Sequence, residues 1–466
     1  MKTNVRFYEG LKGSGVVVGV NYGNDRVIFD FGAPFRPNSN VYDGTVIRRK
    51  AGALRDALIF KETPEIDGVY RKEDLMFNGK LYHDIVPAEE SEMNTIVVIS
   101  HLHLDHMSNI KYLDESIPVY MHKNAYKVHQ AVVEFDEEPV HDNIVGVDLY
   151  DEIKVGAITC TPYFSDHPCY GSVGYLIKTP DQTIYYSGDI RFHGLQRERA
   201  FEELEKLNKL DIDLLIIDGT SYSPSKFKHD ESAFDELSKP NKDILAGMFL
   251  EASIYDDVAN KLKETGNLGV FNIYHRDMQL IEALVKSCNA VNREVVFEVE
   301  TAYVINEVLD MNVSYYVSDT TIREDICQKV AARNNVVTVS EINHNKDKYI
   351  VQVSYKNILS LHDFDTENGV FFHLFGEPFG SGNKAFTIFE RMLQNAGLTY
   401  FGYSNLYSFN HAFPNHLSYM IEKVNAKSVV AVHSNVPEKL TPMNSKHYLP
   451  KQNVVYELVN GELIEK

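Results

Sequence analysis

Histidine and aspartate are concentrated in one short stretch of this chain, HLHLDH, which directly follows the apolar run TIVVIS. The β-branched residues of that run are typical of a buried strand. In extended backbone His101 and His103 point the same way, and Asp105 and His106 follow where a helix can begin. Four nitrogen and oxygen donors within six residues suit two borderline metal ions better than one. The stretch therefore predicts a dinuclear metal loop behind a buried strand.

Four other predicted strands also end in a potential ligand or in a residue that could orient one. EIKVGAITCTPYFSDHP leads to His167, TIYYSGD to Asp189 and SVVAVHSN to His433. The strand ends of stacked sheets converge on one edge, where such folds build their sites. Asp30 ends the second strand of a predicted hairpin with the turn YGND. It could orient a neighbouring ligand through a hydrogen bond, and a turn-forming aspartate is the alternative.

We expect seven of these residues to form two groups of three ligands that share Asp189 as a bridge. The first group is His101, His103 and His167. The second group is Asp105, His106 and His433. Zinc is the first choice of metal, although nitrogen and oxygen donors do not separate it from manganese or iron.

Length and charge limit the function classes. A chain of 466 residues predicts more than one domain. The net charge of −20 argues against broad, non-specific nucleic-acid binding but allows a local positive channel. The start, MKTNVRFYEG, lacks the apolar core of a signal peptide, and no long apolar run predicts a membrane span. The four scattered cysteines are typical of reduced thiols, so we expect a cytoplasmic protein without a membrane partner.

A region with a different pattern follows the buried strand DIDLLIIDG. From NLGVFNIYHR to NEVLDM the pattern is strand, helix, strand, helix, and VVTVS, YIVQVS and GVFFHLF predict further strands. This alternation indicates a parallel sheet with right-handed crossovers. We therefore predict an inserted α/β domain at residues 221–398, between the two parts of another domain at 1–220 and 399–466.

The order of motifs resembles a known family. HLHLDH, a later histidine, SGD and a final histidine are similar to the signature of the metallo-β-lactamase fold, a four-layer αββα sandwich with a two-metal hydrolase site. The long stretch between Asp189 and His433 resembles the α/β insertion of the β-CASP branch, whose members cut RNA or DNA. The layout is most similar to ribonuclease J, with FNHA in place of the usual SGHA and AVHSN in place of PVHGE.

The resemblance implies roles for further residues. Asp218 in IIDGTSY would orient a metal-ligating histidine, and His411 in SFNHAFP would contact the phosphate or protonate the leaving oxygen. Helix capping or packing is the alternative for His411, and Asp105 is assigned a catalytic role besides ligation. Two segments, FNIYHR and EPFGSGN, are candidate phosphate cradles, and an ordinary turn and cap is the alternative for each. Their candidate phosphate-binding residues are Asn272, His275, Arg276, Ser381 and Gly382.

The expected function is phosphodiester hydrolysis by a hydroxide that two divalent metal ions share. The expected partner is RNA, or single-stranded DNA, and the sequence does not separate exonuclease from endonuclease action. It also leaves the oligomeric state open, including a homo-oligomer. Two other functions remain: hydrolysis of a small ester, thioester or phosphodiester, and a non-catalytic role as a scaffold or RNA-binding subunit.

Overall fold

Two large sheets present their strand ends on the side where the ligand candidates lie. The computed structural model describes residues 1–36, 46–135, 139–222, 250–318, 323–378, 384–403 and 410–466. In spatial order the first sheet is β24 (Glu462–Glu465), β23 (Val455–Val459), β1 (Thr3–Glu9), β2 (Val17–Tyr22), β3 (Asp25–Phe29), β6 (Asn94–Ile99), β7 (Val119–His122) and β8 (Ile144–Val147). The predicted hairpin is confirmed, because β2 and β3 are antiparallel and joined at Gly23 and Asn24.

The second sheet carries the later ligand candidates. In spatial order it is β22 (Lys446–His447), β21 (Ser428–Val432), β13 (Leu214–Asp218), β12 (Thr183–Tyr186), β11 (Val173–Lys178), β10 (Ile158–Phe164) and β9 (Ile153–Val155). The strands β12, β13 and β21 are parallel, so the residues that follow them emerge on the same side. A separate two-stranded ribbon pairs β4 (Met76–Phe77) with β5 (Lys80–Leu81).

Helices cover the sheets. In the part of the chain that the structure describes they are α1 (Ala53–Ile59), α2 (Lys72–Leu75), α3 (Leu104–Met107), α4 (Lys123–Val133), α5 (Arg197–Leu207), α6 (Glu251–Thr265), α7 (Met278–Asn289), α8 (Val299–Leu309), α9 (Glu324–Ala331), α10 (Val339–His344), α11 (Lys384–Asn395) and α12 (Pro414–Val424).

The two large sheets pack face to face through an apolar layer. Phe7, Phe29 and Val98 of the first sheet share one buried cluster with Tyr175 and Ile216 of the second. The outer face of the first sheet packs against α1 and α4, and that of the second packs against α5 and α12. Burial of apolar surface between layers is the main force that holds such an arrangement. The helix–sheet–sheet–helix layering confirms the predicted αββα sandwich.

The third sheet is parallel throughout, as the strand–helix alternation predicted. In spatial order it is β17 (Asn335–Val336), β16 (Ser314–Tyr316), β15 (Glu294–Glu298), β18 (Tyr349–Gln352), β14 (Gly269–Ile273), β19 (Val370–Leu374) and β20 (Thr399–Gly402). Its last strand ends at Gly402, just past the predicted boundary at residue 398. The domain division 1–220, 221–398 and 399–466 stays a prediction.

The predicted strand VVTVS is wrong except at its start. β17 ends at Val336, and α10 begins at Val339. Thr338 and Glu341 form a capping box, in which the Thr338 side chain accepts from the Glu341 backbone N–H and the Glu341 carboxylate accepts from that of Thr338. These bonds satisfy backbone donors that a strand would leave unpaired here, so the local cap overrides the β-branched composition.

Sequence analysis did not predict the hairpin formed by β23 and β24. β23 and β24 are antiparallel, and β23 pairs with β1 at the edge of the first sheet. The turn between them is Asn460-Gly461, and both residues have positive φ. An Asn-Gly pair between alternating apolar residues is the strongest local signal of a hairpin, and it was available in ELVNGELI.

Removing the cap of α10 should loosen that helix alone. Thr338→Ala removes the side-chain acceptor, and we expect a loss of about 1 kcal/mol in the free energy of opening α10. Hydrogen exchange of the Glu341 and Ile342 amides should accelerate accordingly. Ser340→Ala, an exposed change in the same turn, should not accelerate it. Equal protection in the Thr338 variant and the wild type would contradict the capping argument.

Candidate metal centre

The histidine-rich loop lies directly on the backbone that follows β3. Phe31 N donates to His106 O at 2.7 Å, and Val16 N donates to Asp105 O at 3.1 Å. A Cβ atom at Gly32 would lie 1.8 Å from Asp105 O. No side chain fits at that position, so the glycine is what allows the loop to pack this closely.

Three imidazole nitrogens of the first group meet at one point. His103 Nδ1 lies 3.0 Å from His101 Nε2 and 3.1 Å from His167 Nε2. One proton cannot satisfy three nitrogens that face one another, whereas one cation can accept a lone pair from each. The same three side chains and Asp189 offer ligand atoms that all lie within 4.8 Å of one another. This donor set fits a divalent metal ion.

The second group lies on the other side of Asp189. His433 Nε2 is 2.9 Å from Asp105 Oδ2, and His106 Nε2 is 3.3 Å from Asp189 Oδ2. Ligand atoms of Asp105, His106 and His433 all lie within 4.8 Å of one another. Asp189 Oδ2 is also 3.6 Å from His101 Nε2. The structure thus brings all seven predicted ligands together, with Asp189 between the two groups; metal binding itself stays a prediction.

Burial gives the first group the protonation state that a metal requires. Burial and the neighbouring histidines hold the pKa of His101 and of His167 well below the usual value. Burial also lowers the pKa of His103 to about 4. All three imidazoles are therefore neutral at pH 7 and present lone pairs. The result is a group of ligands that needs no deprotonation before it binds a cation.

In the second group and at the bridging Asp189, the pKa values shift in the direction that favours charged side chains, unlike those of the first group. Although burial favours the neutral imidazole, the carboxylates of Asp189 and Asp30 raise the pKa of His106 well above its usual value. Burial likewise opposes ionisation of Asp189, but His106, His433 and His411 hold its pKa well below the usual value. The buried carboxylates thus favour positive charge at this place, and a bound cation would supply it.

Asp30, predicted from its place at a strand end to orient a ligand, contacts the ligand candidate His106, and the orienting role itself stays a prediction. Its Oδ2 lies 2.7 Å from His106 Nδ1, which directs His106 Nε2 towards Asp189. Ser100 donates to the same carboxylate through its backbone N at 2.7 Å and its hydroxyl at 2.8 Å, and the Tyr186 hydroxyl donates as well. Asp30 adopts a positive φ of 59°. Four contacts to one buried carboxylate in an unusual backbone conformation are consistent with the predicted orienting role.

Asp218 contacts His411 directly and a metal-ligand candidate only through Thr220. Asp218 Oδ2 lies 2.7 Å from His411 Nδ1. The Thr220 hydroxyl donates to Asp218 Oδ1 at 2.6 Å, and His433 Nδ1 lies 2.5 Å from that hydroxyl. The sequence assigned Asp218 to a metal-ligating histidine and did not include Thr220. A hydroxyl residue two positions after a strand-end aspartate was the available signal.

The turn after β14 reaches the histidine-rich loop. Arg276 is buried, and its Nη1 donates to the carbonyl oxygen of Leu102 at 2.9 Å. The ring of Tyr274 lies 5.5 Å from that of His103, centroid to centroid. The third sheet therefore forms one wall of the candidate centre, through residues that sequence analysis had assigned only to phosphate binding or had left out.

The remaining phosphate candidates have mixed surroundings. Asn272 is buried, and its Nδ2 donates to Glu377 O at 2.8 Å, whereas His275 is half-buried beside Tyr274. Ser381 and Gly382 lie outside the described residues. Phosphate binding by all of these residues stays a prediction.

A buried charge cluster adjoins the ligands. Arg191 lies 3.1 and 2.8 Å from the two carboxylate oxygens of Glu251 and 3.4 Å from Asp166 Oδ1. Asp277 caps α7 by accepting from Leu280 N at 3.0 Å. Burial and the Glu251 carboxylate raise the pKa of Asp277 to about 7, against the opposing effect of Arg191. Three carboxyl groups share one guanidinium, which favours a proton on Asp277.

Comparisons with known proteins agree with this geometry. Residues 77–242 match the family described as "Beta-lactamase superfamily domain". The match supports a metal-dependent hydrolase in the coarse sense, and the His/Asp groups are consistent with divalent metal binding. A solved structure titled "Crystal Structure of a Protein of Unknown Function from Enterococcus faecalis V583" is 24% identical, with a TM-score of 0.78 over 98% of this chain and 100% of that chain. At that identity the likeness shows the fold.

Two further findings are negative. The search of curated proteins gave no match. Within the described ranges, no helix has the length and apolar character needed to cross a membrane.

Removing one ligand should remove metal. We expect the purified wild type to hold about two divalent ions per chain. His103→Ala should bind less than half of that, because it deletes the nitrogen shared by the first group. Inductively coupled plasma mass spectrometry after exhaustive dialysis measures the content. His141→Gln alters a buried histidine whose Nε2 contacts Ile117 O and should keep the full content. Equal content in both variants would contradict the assignment.

Asp277 should make stability depend on pH. Its raised pKa means that folding takes up a proton between about pH 4 and pH 7, so stability falls as pH rises through that window. Asp277→Asn keeps an oxygen for the cap and removes this dependence. We expect the variant to match the wild type near pH 4 and to gain a few degrees in Tm over it at pH 8. Parallel Tm profiles of the two proteins would contradict the proton uptake.

Proposed function

We propose that this protein is a dinuclear-metal-dependent nuclease that cleaves RNA phosphodiester bonds, similar to ribonuclease J of the β-CASP branch. One observation carries the proposal. His411, held by Asp218, lies at the edge of the seven-ligand centre, with its Nδ1 3.7 Å from the bridging Asp189 Oδ2. A histidine that binds no metal but stands beside the reacting position is the group that phosphodiester cleavage needs for its leaving oxygen.

The chemistry divides between the cations and the chain. Two bound divalent ions, with zinc the first choice, would supply Lewis acidity and an activated water at neutral pH. Asp218 holds His411 by Nδ1, so Nε2 is the nitrogen that we assign to the substrate phosphate or to the leaving oxygen. In-line attack on phosphorus would leave a 5′-phosphate on one product and a 3′-hydroxyl on the other. Asp105 faces His433 at 2.9 Å within the second group, and we assign it a catalytic role besides ligation.

Substrate binding would be local because the whole chain is acidic. The net charge of −20 opposes long-range attraction of a polyanion. We assign phosphate contacts to Asn272, His275 and Arg276 at the turn after β14, and to Ser381 and Gly382, with RNA preferred to single-stranded DNA. We place this activity in the cytoplasm.

Hydrolysis of a small ester, thioester or phosphodiester is the second candidate. The acidic total charge favours it, since a small substrate needs no extended cationic surface. Its reaction would use the same metal centre without the phosphate contacts of the third sheet.

The activity test uses 5′-phosphorylated single-stranded RNA with the metal-loaded protein. We expect metal-dependent products with 5′-phosphate ends, and His411→Ala should lower kcat by roughly 10²- to 10⁴-fold with unchanged metal content. Sequencing gels with end-group mapping read both the rate and the product ends. His141→Gln is the matched histidine control. Turnover of a phosphodiester dye without cleavage of RNA or DNA would support the second candidate instead.

A further inference from the structure

Arg191 joins the two segments that carry His167 and Asp189. Its backbone N donates to Asp166 O at 2.8 Å, and its Nε lies 3.4 Å from Asp166 Oδ1. Asp166 precedes His167, and Arg191 stands two residues after Asp189. The Ser165 hydroxyl adds a bond of 2.7 Å to Asp189 O. The position of Asp189 relative to His167 therefore depends on what holds Arg191.

Glu251, the first residue of α6, holds the far end of Arg191. Two parallel hydrogen bonds of 3.1 and 2.8 Å join the guanidinium to the carboxylate. The carboxylate also accepts from Leu195 N at 3.1 Å, and Glu251 N donates to His193 O at 3.0 Å. Both side chains are 2% exposed, so water does not replace these bonds. The segment after Asp189 is thus fixed to a helix that packs on the third sheet.

An ion pair at this place supplies geometry more than stability. A buried pair of charges contributes little net stability compared with apolar residues of the same volume. A bidentate guanidinium–carboxylate pair instead fixes plane, distance and direction together. At Gly194, a Cβ atom would lie 2.5 Å from both Arg191 Nε and Asp166 Oδ2. The backbone at Gly194 thus packs against Arg191 and Asp166 so closely that no side chain would fit there.

We propose that Arg191 is a positioning residue, anchored by Glu251, that sets the distance between the two ligand segments and makes the third-sheet region part of the metal centre. This rests on the proposed dinuclear centre but not on the nuclease reaction. Arg276, which donates to Leu102 O from the same region, supports the histidine-rich loop. Ligand orientation by outer residues is typically worth 10- to 100-fold in metal affinity.

The test measures zinc affinity by competition with a chromophoric chelator on the full chain at low temperature. We expect Arg191→Met to raise the zinc Kd on the order of 10- to 100-fold. Arg191→Lys keeps the charge without the planar fork and should recover little of that affinity. Glu251→Gln keeps the shape of the anchor and should raise Kd by about 10-fold, which preserves the test if Arg191→Met does not fold.

Arg293→Met is the matched control. Arg293 is a buried arginine that donates to the carbonyl oxygens of Leu262, Asn267 and Lys346, away from the ligands. It should lower Tm and leave zinc affinity within about 2-fold, a difference far below the 10-fold scale of ligand orientation. A Kd unchanged in Arg191→Lys and Glu251→Gln, or an equal loss in Arg293→Met, would overturn the positioning role. A wild type that binds no zinc would contradict the proposed function instead.

Discussion

The rest of the structure depends on one constraint: the buried lone pairs of the candidate metal ligands repel one another. Three neutral imidazole nitrogens lie within about 3 Å of a common point, and a carboxylate lies between them and a second group. Such an assembly is unfavourable without a positive charge at its centre. Although burial disfavours a charged imidazole, the carboxylates of Asp189 and Asp30 raise the pKa of His106, so the surroundings favour positive charge there. The surrounding fold must therefore keep these side chains together although their lone pairs and carboxylate charges repel one another.

The two sheets provide that rigidity. The strands β6 and β21 have parallel neighbours on both sides, β12 pairs in parallel with β13, and β10 is antiparallel to β9 and β11. Side chains of all four strands fill the core between the sheets, so the strand ends that precede the ligands are fixed before the site begins. The backbone then turns sharply. His433 adopts a positive φ of 58° and donates its N–H to Gly10 O at 2.7 Å. Unusual backbone conformations held by neighbouring segments are characteristic of functional sites.

The sequence predicted what depends on local order and missed what depends on distant contacts. Strands that end in His167, Asp189 or His433 can be identified by apolar runs, and Asp30 by its place beside Gly32. Arg191 and Glu251 have no comparable local pattern, because their roles arise only when separate segments meet. The helix at Val339 shows the opposite error, since its β-branched residues suggested a strand until the capping bonds decided otherwise.

The third sheet also helps to hold the ligand segments in place. Its parallel strands direct the turn after β14 towards the ligands, so Arg276 reaches the histidine-rich loop at Leu102 O. An inserted region attached only by flexible linkers would not need buried charges at its contact surface, because those charges are unfavourable unless every partner is in place. Because these buried charges are present, the ligands have their correct spacing only when the third-sheet region is correctly docked.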